Sequence, residues 1–148
     1  MIDEIYPSSL GIRAGDGLHG TPLEGAPLLH LAVECQKPEI ATWLLDQGAN
    51  VNTRSKEEDD NGHTPLYHAV VTCGGRDGNM SQLLLDHGAN PNVQANLHKQ
   101  FRHMGDPERE KMHTYHNITP LGYARQFQEP GMVSASAVAL IAERGGIE

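Results

Sequence analysis

The groups in this chain best suited to chemistry are its nine histidines, spread over 148 residues. Imidazole ligates zinc readily and titrates near neutral pH. Four of them, His98, His103, His113 and His116, lie in or beside one segment, residues 94–113. Neither HExxH nor CxxC accompanies them, and their spacing fixes no ligand geometry. Solvated or partner-facing histidines are therefore expected, and a metal-dependent role for this segment is the minor alternative. Gly15-Asp16-Gly17-Leu18-His19-Gly20 spells G-x-G-x-x-G. A dinucleotide site needs that run to open a helix, but Thr21-Pro22 follows at once, so it reads as a loop. Cys35 and Cys73 are too few for a disulfide scaffold or a cysteine zinc site, and nothing places a base beside either. Glu57-Glu58-Asp59-Asp60 is either a solvated turn or an electrostatic contact for a partner. No catalytic residue, cofactor site or metal site is assigned.

The elements that would position such groups must come from a modest core. Hydrophobic residues are 38% and charged residues 20% of the chain, enough apolar content to fold and too much for a disordered tail. Lys+Arg number 11 against 19 Asp+Glu, a net charge of -8. That balance argues against a nucleic-acid or anionic-membrane binder and allows a basic protein partner. No apolar run reaches the ~18 residues of a membrane span. The start, Met1 to Pro7, has neither a positive nor an apolar signal region. The expectation is a single soluble, cytoplasmic domain, monomeric on its own.

Self-similarity supplies the organisation. Gly48-Ala49-Asn50-Val51-Asn52 recurs as Gly88-Ala89-Asn90-Pro91-Asn92, each copy after an apolar helix end, Trp43-Leu44-Leu45 or Leu83-Leu84-Leu85. Thr64-Pro65-Leu66-Tyr67-His68-Ala69 recurs as Thr119-Pro120-Leu121-Gly122-Tyr123-Ala124, with a degraded copy at Pro27-Leu28-Leu29-His30-Leu31-Ala32. Pro65 and Pro120 suit the first helical position, where a missing N–H costs nothing, and Thr64 and Thr119 suit side-chain caps. Gly48 and Gly88 suit left-handed helix stops. Gly25, Gly62 and Asn117, at matching turns, tolerate positive φ. The second helix of each pair is apolar at helical spacing, as at Ile40, Trp43 and Leu44. Such a pair cannot bury its apolar side alone and must stack on copies of itself.

This register of linked motifs resembles the ankyrin repeat. The resemblance implies an all-α fold, an ankyrin-repeat solenoid of about three helix-turn-helix repeats with long finger insertions and terminal caps. Laid onto one domain of residues 1–148, it gives an N-terminal cap at 1–21, repeat 1 at 22–53, repeat 2 at 59–93, an inserted finger at 94–113, and repeat 3 with the C-terminal cap at 114–148. Turns starting at 22, 59 and 114 are spaced more widely than the usual ~33 residues. Insertions in such arrays map to one side, often the binding side. Within the finger, Asp106 to Met112 reads as a short capped helix. Cys35 and Cys73, about one repeat apart, sit in layers too distant for a disulfide, so free thiols are expected.

The resemblance also implies activity: protein binding, through finger tips and the open face of the first helices, without catalysis or cofactor. Position by position it points to Leu23, Glu24, Ala26 and Glu34 in repeat 1 and to Asp60, Asn61, His63, Val71 and Thr72 in repeat 2. Phe101, Arg102 and His103 follow in the finger, then Tyr115, His116 and Ile118 in repeat 3, with Tyr115 as the aromatic anchor. The size, acidity and modified fingers resemble small bacterial ankyrin-repeat proteins, among them immunity proteins that neutralise a cognate toxin. The expectation is a module that binds and inhibits one specific protein. An adaptor or scaffold with several partners is the alternative.

Overall fold

The computed structural model describes residues 13–14, 19–22, 26–56, 61–72, 77–101, 111–127 and 130–148. Six short helices form three pairs: α1 (Leu28–Glu34) with α2 (Pro38–Asp46), α3 (Pro65–Val70) with α4 (Asn79–Asp86), and α5 (Pro120–Gln126) with α6 (Ala135–Glu143). First helices pack in a row, α1 on α3 and α3 on α5, while α4 packs on α6. Leu29, Val33, Leu44, Leu66, Val70, Leu84 and Ile141 form the buried seam between these layers. None of the described helices is long and apolar enough to cross a membrane.

The helix stops work as the repeat pattern requires. Gly48 and Gly88 have φ of 91° and 87°, the left-handed conformation that side chains avoid. Beyond them an asparagine ladder joins the pairs. Asn50 Oδ1 accepts from Asn52 N at 3.0 Å, and Asn90 Oδ1 from Asn92 N at 2.9 Å, closing equivalent turns. Asn52 Oδ1 also accepts from Asn90 N at 2.8 Å, and Asn92 Oδ1 accepts from Ile147 N at 2.8 Å. Each turn thus supplies the acceptor for the next layer.

The helix starts depart from the pattern in two places. Thr119 accepts from Gly122 N at 3.1 Å as a cap should. Thr64, expected to do the same, makes no cap bond, and its buried hydroxyl has no partner among the described residues. Of the turn positions, Asn117 has positive φ (51°) but Gly62 does not. Gly62 answers to space instead: a Cβ there would lie 1.8 Å from the Ser55 carbonyl oxygen. Gly25 lies outside the described residues.

The all-α expectation needs correction. A small antiparallel sheet runs in the order β1 (Arg13–Ala14), β2 (His19–Pro22), β3 (Ala95–Phe101), β4 (Lys111–Ile118). The inserted finger therefore rises as a β-hairpin. Lys111 and Met112, expected to end a short helix, belong to β4, and the rest of that expected helix lies outside the described residues. His19 and Gly20, read as loop, lie in β2 and pair with Phe101 and Gln100. The hairpin's chemistry explains its stability. Ala95 and Leu97 turn inward while His98 faces solvent, the period of two expected of a half-buried strand. Across from them Tyr115 and Ile118 both turn inward although three residues apart. The register slips there by one residue, Leu97 facing Tyr115 and Ala95 facing Ile118. The bulge that absorbs the extra residue contains Asn117 with its positive φ.

Candidate functional site

Two surfaces of chemistry emerge: the hairpin with the open ends of the first helices, and a buried histidine cluster between the first two helix pairs. The expected partner-facing residues divide unevenly between surface and interior. His116 is exposed and Asn61 partly so. Asn61 is held at the hairpin's base, its carbonyl accepting from Asn96 N at 2.8 Å. Ala26, Val71, Thr72 and Ile118 are buried. Val71 bridges to Val133, and Thr72 N donates to Met132 O at 2.8 Å. Leu23, Glu24, Asp60, Arg102 and His103 lie outside the described residues, and Phe101 is placed only as part of strand β3.

Tyr115, expected as the aromatic anchor, is 7% exposed and edge-on to Tyr123 with ring centroids 5.0 Å apart. The bulge turns it inward, and burial raises its phenol pKa. Large apolar groups do reach solvent elsewhere: Trp43 is 55% and Ile40 52% exposed on α2, where helical spacing had suggested core.

His63 is buried, and the Glu34 side chain nearly so, because both belong to the histidine cluster. His68 Nδ1 lies 2.6 Å from Glu34 Oε2, both side chains nearly excluded from solvent. His68 Nε2 is 2.9 Å from His63 Nε2, and His63 Nδ1 is 2.9 Å from Ser55 Oγ. His30 Nε2 is 2.9 Å from the His63 carbonyl, which can only accept, so that nitrogen carries the hydrogen. Its Nδ1 is then a bare lone pair, buried and without a partner among the described residues. With neutral rings the chain of donors is consistent: Ser55 Oγ–H to His63 Nδ1, His63 Nε2–H to His68 Nε2, His68 Nδ1–H to Glu34. A small cavity of about 20 Å³, room for one water, borders the cluster between His63, Tyr67, His68, Leu97, His98 and Tyr123. The repeat pattern hid this group. His30 and His63 come from successive layers, and His68 occupies the position of Leu31 in the first repeat.

Burial sets a pH dependence. Desolvation lowers the His30 pKa to about 3, helped by the nearby His68 and opposed by the bond to the His63 carbonyl. An unfolded histidine titrates at about 6.5. Between those values the unfolded chain binds the extra proton, so stability is full above the upper one and falls as pH drops through the window. The loss from this group is roughly 1.4 kcal/mol per pH unit. Urea midpoints of the metal-free chain should fall from about pH 7 to about pH 5. Equal midpoints would mean that His30 is not held neutral by the fold.

Comparison with known proteins agrees with this architecture. The sequence profile of ankyrin repeats, in three copies, matches residues 10–95, more than half of the chain. The B-cell lymphoma 3 protein homolog of Mus musculus is 41% identical over 71 residues, 48% of this chain and 14% of that protein. A protein of Acanthamoeba polyphaga mimivirus named for its ankyrin repeats is 38% identical over 91 residues, 62% of this chain and 11% of its own length. The chain thus spans only about a tenth of the curated relatives it matches. The crystal structure of the ankyrin repeat domain of Bcl-3 superposes with a TM-score of 0.55 at 26% identity, covering 83% of this chain and 41% of that one. Linked helix-start and helix-stop motifs, stacked helix pairs and these likenesses converge: the chain belongs to the ankyrin-repeat family.

Proposed function

We propose that the chain is a non-catalytic module that binds one specific protein and neutralises it by occlusion, as an immunity protein does a cognate toxin. Ankyrin repeats are protein-interaction modules, and the family and fold are typically non-enzymatic. The observation that carries the finer reading is the hairpin β3–β4. A finger of ordinary length needs no strands, whereas here the insertion is a built projection, clamped at its base and tied to β2. Its outward positions include His98, Thr114 and His116, a polar face. The net charge of -8 favours a basic partner, with attraction that speeds encounter more than it strengthens the complex.

Affinity capture of the tagged chain from its native cell extract, at low and at high salt, tests this reading. One near-stoichiometric, toxin-like partner retained at both salts is the expected result. Several weak, salt-sensitive partners would favour a scaffold, and no partner at either salt would remove the inhibitor reading.

A further inference from the structure

We propose that His30, His63 and His68 form a binding site for a divalent first-row transition ion, zinc being the reference case, which staples the first helix pair to the second. One ligand nitrogen of each ring lies within 4.8 Å of the other two, and all three residues are buried. We assign the nitrogen each ring would offer from its hydrogen bonds. His30 offers Nδ1, a buried nitrogen with no hydrogen-bond partner among the described residues. His68 offers Nε2, because its Nδ1 is committed to Glu34. His63 offers Nε2 once its proton sits on Nδ1, where Ser55 Oγ is placed to accept it.

The second nitrogen of every ring is therefore already held, by the His63 carbonyl, Ser55 and Glu34 respectively. Metal-bound histidines require just such partners, which fix the tautomer and aim the ring, and a carboxylate behind a histidine makes it a better ligand. Imidazole ligates a metal ion through the bare nitrogen of its neutral form, and each ring keeps its other nitrogen for its hydrogen-bond partner. Two nitrogens 2.9 Å apart would subtend roughly 90° at an ion held at ~2.0–2.1 Å. A tetrahedral angle needs them only ~0.4 Å further apart. The adjoining cavity of about 20 Å³, lined by His63, His68 and the exposed His98, has room for the water that would complete four-coordination.

The test uses the full chain after removal of metal by a chelator, with Zn2+ followed by calorimetry and Co2+ by its visible absorption. Binding at one ion per chain, with a rise in melting temperature, is expected. Glu34→Gln should weaken zinc affinity ~10–100-fold. The double variant Glu34→Leu with His68→Leu should keep the helical circular-dichroism spectrum and lose the ion. A control pair, His113→Gln with His116→Gln, should bind as the parent chain does. Absence of one-to-one binding in the parent chain, undiminished binding by the leucine variant, or loss in the control pair would overturn the site. If the leucine variant does not fold, histidine 15N resonances of the parent chain decide. Zinc-induced shifts at three buried rings support the site, and shifts confined to His87, His98, His113 and His116 overturn it.

Discussion

Replacing Tyr67 by alanine should destabilise the chain by about 3–5 kcal/mol, the usual cost of removing a buried aromatic ring. Tyr67 takes the place in α3 that His30 takes in α1, and it is 1% exposed. Its ring lies 5.8 Å from Tyr123. Its single hydroxyl hydrogen is shared between two carbonyls, Val93 at 2.6 Å and Ile118 at 2.5 Å, at the two ends of the inserted hairpin. One side chain therefore clamps both feet of β3–β4 to the helix stack. Phenylalanine keeps the ring and removes only the clamp, so Tyr67→Phe should cost ~1–3 kcal/mol, the penalty for buried acceptors left without a donor. Urea unfolding measures both changes, and hydrogen exchange should show faster opening of the hairpin in the phenylalanine variant. A Tyr67→Phe chain as stable as its parent, with the hairpin equally protected, would mean that the hydroxyl does not hold the finger.

The second large effect is a reversal. In metal-free protein, His68→Leu should cost ~3–5 kcal/mol, because the buried Glu34 carboxylate loses its 2.6 Å donor. Glu34→Leu alone should cost ~1–3 kcal/mol for the imidazole N–H it strands. The double variant should recover most of the loss, since a well-packed apolar pair often equals or exceeds a buried polar one. Leucine suits the site because Leu31 holds the equivalent position one repeat earlier. The double-mutant cycle reads this coupling directly. Additive losses would show that Glu34 and His68 do not act as a pair.

The stack was legible in the sequence because its punctuation is carried by residue types with few alternatives. Gly48 and Gly88 at positive φ, Asn50 and Asn90 closing turns, and Thr119-Pro120 opening a helix each have a single backbone use, repeated in register. The hairpin was not, because its period of two is blurred twice. Polar residues fill its outward face, and the bulge at Asn117 puts Tyr115 and Ile118, three apart, on one side. That slip also turns Tyr115, the expected aromatic anchor, toward the interior. The histidine cluster is not visible in spacing along the chain, because stacking between layers joins His30 to His63 and His68. One signal was available: a polar His68 where the repeat pattern places an apolar residue.

We propose that this ankyrin-repeat chain meets its partner with the built finger. Hydrogen exchange on the captured complex, compared with the free chain, tests this. New protection is expected across residues 95–98 and 113–116, on the strands of the hairpin. Protection confined to α2 around the exposed Ile40 and Trp43, with the hairpin unchanged, would contradict it.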